Sequence, residues 1–220
     1  TCAVYGGPSG IGWLYNKDAI LNKIYKETDT AEKDGKLPEG APELEHSVIP
    51  LNEVVDIDFY VPGCPPHPYF IALAVNTLLG ASVPAISTKT VCSACNRRME
   101  KREGVKFQQG KSTAPEADIC LLSQGVICLG SVTLDRCQAQ CPNRGVACAG
   151  CAGPSLDIII EPHLDIRTMV AKRMSMLTGI DRNEIMKYME KEAKTFYSYT
   201  LSSPVIYRKP TVEIREWAGK

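Results

Sequence analysis

Eight of the ten cysteines lie between positions 92 and 151, and this cluster limits most strongly what the chain can fold into. They form two consecutive groups of four, which we call the first set (Cys92, Cys95, Cys120 and Cys128) and the second set (Cys137, Cys141, Cys148 and Cys151). The segment is rich in glycine and has little apolar periodicity, so we expect it to need something besides an apolar core to fold around. Eight neighbouring thiols indicate metal binding rather than ordinary structural thiols.

The composition argues against disulfides. A secreted disulfide scaffold would be shorter and would carry a signal peptide, whereas no stretch here combines a basic start, an apolar run and a small-residue cleavage site. The longest apolar run, 70–81, holds Asn76 and Thr77 and is too short to span a bilayer. We therefore expect a cytoplasmic protein with reduced thiols. Because the sequence begins at Thr1 rather than Met, we expect it to be the remainder of a longer protein.

Charge gives no sign of a nucleic-acid or membrane partner. The chain has 25 Lys and Arg against 25 Asp and Glu, so its formal net charge is zero. A protein that binds nucleic acid or an anionic membrane through its surface field would be basic. We predict neither partner.

Two sets of four thiols match the ligand number of four-iron clusters, with iron held through the same cysteines. A zinc ribbon would place two Cys-x-x-Cys pairs about 15–20 residues apart, whereas the pairs here begin at 92 and 148. A zinc-stapled interaction module remains the alternative from another class. A nucleophilic cysteine would need an activating histidine. None of the three histidines lies in a catalytic signature, and we predict no catalytic residue.

Two further cysteines, Cys2 and Cys64, stand apart, each beside a glycine-containing turn. We call them the N-terminal pair. Two ligands are half of a four-iron site. The sequence leaves two interpretations open: the other half comes from an upstream segment, or both residues are plain buried thiols.

The pattern of apolar and turn residues predicts an α/β fold. Residues 54–61 alternate like a strand and run into a turn at Cys64, and Pro68 can then start a helix that Gly80 ends. Strand, turn and helix in this order are typical of a parallel sheet. Further on, the pattern predicts a helix over 164–177 closed by a glycine and another that begins near Asp181 and runs to about Phe196.

Two repeated side-chain patterns have structural interpretations. Methionines recur at helical spacing and are predicted to fill the core, at positions 169, 174, 176, 186 and 189. Basic residues between Arg97 and Lys111 are interleaved with Glu100 and Glu103. This stretch is interpreted as a solvated loop, with partner docking as the alternative.

Several motifs together resemble the small subunit of nickel–iron hydrogenases. Residues 1–7 (TCAVYGG) and 61–66 (VPGCPP) are similar to that family's third and fourth ligand motifs for a proximal cluster. Within the family, the likeness is closest to the gamma-type small subunits of the methanogen hydrogenases that do not reduce coenzyme F420 and work with heterodisulfide reductase. The segments that carry this likeness are 123–130 (SQGVICLG), 139–142 (AQCP) and 195–201 (TFYSYTL).

The resemblance implies a fold and a set of cofactors. The fold would be a partial flavodoxin-like parallel-sheet domain over 1–85, followed by an irregular and helical iron–sulfur domain over 86–220. The first set would hold a distal 4Fe-4S cluster, the second set a medial 4Fe-4S cluster, and the N-terminal pair half of a proximal one. Many family members have a distal histidine where this chain has Cys92, and the full second set implies a four-iron rather than a three-iron medial cluster.

The resemblance also implies an electron-relay role in methanogenesis. Hydrogen would be oxidised in a separate nickel–iron large subunit. Electrons would then pass through this chain to a 2Fe-2S-type acceptor subunit and the heterodisulfide reductase complex. One rival within the family is the gamma subunit of coenzyme F420-reducing hydrogenase, which has a flavin-bearing partner. Another is the single-cluster subunit of complex I-like enzymes, which has no reason to carry cysteines 92 to 151.

Overall fold

The computed structural model describes residues 1–203 apart from 33, 34, 46, 47, 86 and 162. Short helices and turns dominate, and paired backbone in the described part is limited to isolated β-bridges. The α-helices are α1 (Cys2–Tyr5), α2 (Lys17–Asn22), α3 (Pro68–Leu78), α4 (Gln140–Asn143), α5 (Leu156–Ile160), α6 (Ile166–Thr178), α7 (Arg182–Lys191) and α8 (Ala193–Phe196). A π-helical turn spans Lys23–Glu27, and 3₁₀ turns span Gly7–Leu14, Leu51–Glu53, Val91–Ala94, Leu122–Gln124 and Leu129–Ser131.

Helix α3 confirms the prediction made from its capping residues. It begins at Pro68, and the Nδ1 atom of His67 accepts a hydrogen bond of 3.2 Å from the backbone N–H of Tyr69. The helix ends at Leu78, and Gly80 follows with a φ of 75°. That left-handed conformation is one that glycine adopts without a steric penalty. Helix α3 therefore begins and ends where its capping residues predict.

Residues 54–61 do not form the predicted strand. In the described part of the chain, no other segment pairs with these residues through the backbone hydrogen bonds of a sheet. A strand is stabilised by such pairing and by the packing of its faces, so an isolated segment gains little from an extended ladder geometry. The parallel-sheet domain over 1–85 stays a prediction.

Helices α6 and α7 form the helical part of the core. Asp165 caps α6, Gly179 ends it in a left-handed conformation, and the Asp181 carboxylate accepts hydrogen bonds from two backbone N–H groups at the start of α7. Both predicted helices are thus confirmed, with α6 shifted by one or two residues. The second is shorter than predicted, because the backbone breaks at Glu192 before α8 begins.

The methionine prediction holds for four of the five positions. Met174 and Met189 are fully buried, and Met169 and Met186 pack against the same core. Met176 is 66% exposed, so its placement in the core was wrong. The reason is geometric: position 176 lies two residues from Met174, which places it on another face of the same helix.

We expect Met174→Ala to lower the free energy of unfolding by about 2–5 kcal/mol, because it leaves a cavity that the packed core cannot close. Met176→Ala on the same helix is the matched control and should change it by less than about 0.5 kcal/mol. The midpoint of urea unfolding, measured without oxygen, checks both. Equal shifts for the two variants would contradict the packing described here.

The cysteine-rich segment itself supplies much of the core. Every residue from 121 to 130 is buried, including Leu121, Val126 and Leu129. The expectation of few core-forming apolar residues was therefore wrong for this run, whereas the need for a bound group stays a prediction. Its apolar residues show no helical or strand period because this run is covered on all sides, and a buried run carries no amphipathic signal.

Candidate iron–sulfur cluster sites

The four thiols of the first set surround one cavity of about 310 Å³, part of it open to solvent. Cys92 and Cys95 lie on and just after the 3₁₀ turn Val91–Ala94, and the backbone N–H of Cys95 donates to the carbonyl of Cys92. Cys120 and Cys128 flank the buried run and approach from the other side. Residues more than 30 positions apart thus meet at one place.

Burial controls the protonation of these thiols. It raises the pKa of Cys92 to about 11 and that of Cys128 to about 12. The backbone N–H groups of Cys148 and Gly130 donate to the Cys128 sulfur and oppose the rise, as does the Arg173 guanidinium at Cys92. A thiol with so high a pKa is a poor nucleophile, but it can bind a metal that displaces its proton.

Gly130 allows the backbone to approach the sulfurs closely. A Cβ atom at this position would lie 3.4 Å from the Cys92 sulfur and 3.6 Å from the Cys128 sulfur. The space beside the two thiols is therefore kept free of any side chain at position 130. Backbone N–H groups that donate to cysteine sulfur, like those at Cys128, tune the reduction potential of an iron–sulfur site.

Arg97 places a positive charge in the wall of the same cavity. Its guanidinium donates to the carbonyls of Pro142 at 2.6 Å, Glu116 at 2.9 Å and Ile119 at 2.9 Å. Within the described part of the chain no carboxylate lies within ion-pair distance of Arg97, so its charge is available to balance thiolates. The interpretation of the basic stretch as a solvated loop is wrong for this residue, since three backbone carbonyls hold it against the cavity.

The second set extends from the core to the surface. Cys148 is buried and Cys141 is exposed on α4, whereas Cys137 and Cys151 are half-buried. Burial raises the pKa of Cys137 and of Cys151. The negative charges of Asp135 and Cys141 raise the pKa of Cys137 further, and neighbouring thiolates raise that of Cys151. Cys151 is close to Cys137, Cys141 and Cys64, and Cys148 is close to Cys151. The thiols of this set therefore interact with one another.

The loop after Cys137 has an unusual backbone that the sequence did not reveal. Gln138 and Ala139 adopt φ values of 55° and 53°, a conformation that non-glycine residues adopt rarely. The Asp135 carboxylate accepts hydrogen bonds from the N–H groups of Cys137 and Gln138, and those of Ala139 and Gln140 donate to the Cys137 sulfur. The strained loop thus surrounds one sulfur with donors, as a cluster ligand requires.

The N-terminal pair is exposed, and hydrogen bonds join the residues that precede the two cysteines. The N–H of Gly63 donates to the Thr1 hydroxyl at 2.8 Å, and the backbone nitrogen of Thr1 donates to the Gly63 carbonyl at 3.1 Å. Gly7 packs against Cys2 so closely that a Cβ there would lie 2.5 Å from its sulfur. Both cysteines are exposed in the described chain, and their assignment as cluster ligands stays a prediction.

The N-terminal segment packs on the second set. The Tyr5 ring is buried against Gly153, and its carbonyl accepts a hydrogen bond from the Ser202 hydroxyl. Arg136, next to Cys137, lies over the Phe70 ring at 5.3 Å and accepts a backbone hydrogen bond from His67. These contacts place the N-terminal pair beside the second set.

Four thiols around a shared space, as in the first set, fit a polynuclear cluster in which each iron takes one thiolate. In the residues that the structure describes, no three Cys, His, Asp or Glu side chains converge on a point that could hold a single metal ion. None of the helices in the same part of the chain has the length and apolarity to cross a bilayer. The assignment of individual cysteines as ligands stays a prediction.

Comparison with known proteins connects this arrangement to a family. A family model described as the 20 kDa subunit of NADH ubiquinone oxidoreductase matches residues 1–78. This match and the ten cysteines are consistent with iron–sulfur clusters.

Curated relatives cover more of the chain. A subunit of the vhu F420-non-reducing hydrogenase of Methanocaldococcus jannaschii is 42% identical over 162 residues, which are 72% of this chain and 56% of that protein. The corresponding F420-non-reducing hydrogenase subunit of Methanothermobacter thermautotrophicus is 35% identical over 95% of this chain and 70% of its own length. The iron–sulfur subunit of the F420-non-reducing hydrogenase of Archaeoglobus profundus is 28% identical over 94% of this chain and 70% of its own length.

This chain spans 56% to 70% of the length of these three relatives. The resemblance inferred from the cysteine motifs is thereby confirmed over nearly the whole chain. The protein belongs to the same family as these F420-non-reducing hydrogenase subunits.

Proposed function

We propose that this chain is the electron-transfer small subunit of a nickel–iron hydrogenase. Electrons from hydrogen oxidation in a separate large subunit pass through 4Fe-4S clusters held by the N-terminal pair, the second set and the first set. They leave towards a 2Fe-2S-type acceptor subunit and the heterodisulfide reductase complex. The N-terminal pair supplies two ligands of the proximal cluster. We also propose a cytoplasmic location and a flavodoxin-like sheet domain that includes residues 1–85.

The observation that carries this proposal is the cavity of the first set. Four cysteines spread over 37 positions line one space, and Gly130 keeps that space open beside two of the sulfurs. Four thiols around one space match the ligand number of a four-iron cluster. In addition, the Thr1 hydroxyl beside Cys2 donates to the Cys151 carbonyl, which joins the N-terminal pair to the second set.

In this role the residues of the chain bind the clusters and tune their reduction potentials, and no side chain takes part in breaking a bond. Iron–sulfur clusters, when bound, accept and release single electrons. Cysteine sulfurs hold the iron, buried leucines and valines exclude water, and backbone N–H groups donate to sulfur. Arg97 and Arg173 place positive charge beside the first set, which favours the more negative, reduced state of any group bound there.

The test uses the native complex purified without oxygen. We expect the two complete sets to contribute about eight iron atoms and eight acid-labile sulfides per copy of this chain, in addition to the iron and sulfide of the other subunits, with more if the proximal site is filled. Hydrogen gas should bleach the visible iron–sulfur absorption and produce the electron paramagnetic resonance (EPR) signals of reduced clusters. Argon in place of hydrogen is the control.

The same preparation separates the rivals. Heterodisulfide reductase in the complex supports the proposal, whereas a flavin-bearing partner and hydrogen-dependent F420 reduction support the F420-reducing subunit. A colourless protein that contains zinc and no iron would refute the relay role and support a zinc-stapled module.

A further inference from the structure

Thr1 lies where the turns of three cysteines meet. It precedes Cys2 in the chain, it exchanges two hydrogen bonds with Gly63 beside Cys64, and its hydroxyl donates to the carbonyl of Cys151. The hydroxyl thus accepts from one turn and donates to another, which uses its single proton and one of its lone pairs. One oxygen atom joins the N-terminal pair to the second set.

A second contact lies at the same junction. The backbone N–H of Cys64 lies close to the sulfur of Cys151 and lowers the pKa of that thiol. The two turns therefore meet through a sulfur atom as well as through the Thr1 hydroxyl. Thr1 itself is half-buried, so water does not compete freely for these bonds.

Without the Thr1 hydroxyl, the hydrogen bonds that join the Cys64 turn to the Cys151 turn through this residue would be lost. The Gly63 N–H and the Cys151 carbonyl would each lose a hydrogen bond in a half-buried place, where an unmade bond is costly. The two turns would separate until water could enter between them. The spacing of the two turns therefore depends on the residue at position 1.

We infer that Thr1 is a positioning residue, which fixes the Cys64 turn against the Cys151 turn and thereby sets the rate of electron transfer between the N-terminal pair and the second set. The inference rests on the proposed function. In this step one electron passes from a reduced iron–sulfur centre on the Cys64 side to an oxidised centre on the Cys151 side, and no proton is transferred. The electrons come from hydrogen through the large subunit.

The test compares three variants in the native complex. Thr1→Val removes the hydroxyl and keeps the branched shape, and Thr1→Ser restores the hydroxyl. Thr28→Val is the matched control, because the Thr28 hydroxyl is exposed and donates only to the Ile24 carbonyl in its own turn. Freeze-quench EPR after a hydrogen pulse follows the reduction of the second-set centre. The magnetic interaction between the two centres in dithionite-reduced samples reports their spacing independently of turnover.

We expect Thr1→Val to slow reduction of the second-set centre several-fold, because the two turns lie farther apart once the hydroxyl no longer bridges them. The magnetic interaction should weaken, while iron content and hydrogen–deuterium exchange by the large subunit stay at the wild-type level. Thr1→Ser and Thr28→Val should behave like the wild type. Wild-type kinetics together with a wild-type magnetic interaction in Thr1→Val would overturn the inference.

Two further outcomes keep the result interpretable. If Thr1→Val loses iron during purification, Thr1→Ala is compared with Thr1→Ser, and equal rates for these two would overturn the inference. If hydrogen leaves the wild-type clusters oxidised, the proposed function fails. In that case the magnetic interaction in dithionite-reduced samples still decides whether Thr1 positions the two turns.

Discussion

Replacing Cys95 by serine is expected to empty the first set and to stop electron delivery to the acceptor. A serine hydroxyl keeps its proton at neutral pH far more firmly than a thiol does, so it is a poor substitute for a thiolate ligand of iron. We expect iron and acid-labile sulfide to fall by about four each per chain. Hydrogen-dependent reduction of the acceptor should fall about 100-fold or more, because removing one relay site interrupts the route.

Cys95 suits this experiment because it is only half-buried, in a loop beside the cavity. Cys128 is buried, and a serine there would also leave a polar group in the core. Hydrogen–deuterium exchange by the large subunit should continue unchanged, since no residue of this chain takes part in hydrogen activation. Metal analysis, exchange and acceptor reduction are measured on the same anaerobic preparation.

Ser93→Ala is the matched control for Cys95→Ser. Ser93 lies in the same turn, and its exposed hydroxyl donates to the Thr90 carbonyl at 2.8 Å. We expect its iron content and acceptor reduction to match the wild type. Undiminished acceptor reduction in Cys95→Ser, despite the loss of iron, would remove the first set from the electron route.

The sequence predicted the helices best where a capping residue marks an end. Pro68 and Gly80 bound α3, and Asp181 starts α7, because each residue has a backbone preference that tertiary contacts do not oppose. The break at Glu192 has no such signal, since glutamate is a good helix former. Residues 54–61 show the reverse case: an alternating pattern favours a strand, but pairing partners decide whether one forms.

The sequence predicted which cysteines of the first set lie together, but not which other residues surround the cysteine sulfurs. Spacing alone grouped the first set, and the structure places all four of its members around one cavity. Arg97 was hidden in a basic stretch whose composition is that of a solvated loop, and only the fold shows which arginine turns inward. Asp135, Ala139 and Thr1 act through backbone geometry, and no residue type reveals that in advance.

Gly153→Ala is expected to release the N-terminal segment from the cysteine-rich part of the chain. Gly153 has a φ of 83°, where a side chain is strained, and a Cβ atom there would lie 1.9 Å from the Tyr5 ring. Tyr5 is buried and cannot step aside without losing its packing. We expect the local opening free energy of the N-terminal segment to fall by about 2–4 kcal/mol.

Backbone hydrogen exchange measures this opening directly. The N–H groups of Tyr5 and Gly6 donate to the carbonyls of Thr1 and Cys2, so they exchange only when the segment opens. A loss of about 2 kcal/mol corresponds to exchange roughly 30-fold faster at these two amides. Gly104→Ala is the matched control: its φ is 76°, but no atom lies within 4 Å of the added Cβ.

The pair of glycine variants separates backbone strain from packing. Both introduce a methyl group at a left-handed residue, but only Gly153→Ala meets the Tyr5 ring, so only it should speed exchange at Tyr5 and Gly6. Tyr5→Ala should lower the opening free energy of the segment by itself. Adding Gly153→Ala to it should lower that free energy further by only the backbone strain of an alanine at position 153, because the clashing ring is gone. If the two glycine variants exchanged alike at these amides, the N-terminal pair would not be docked on the second set, and the route between them would need another contact.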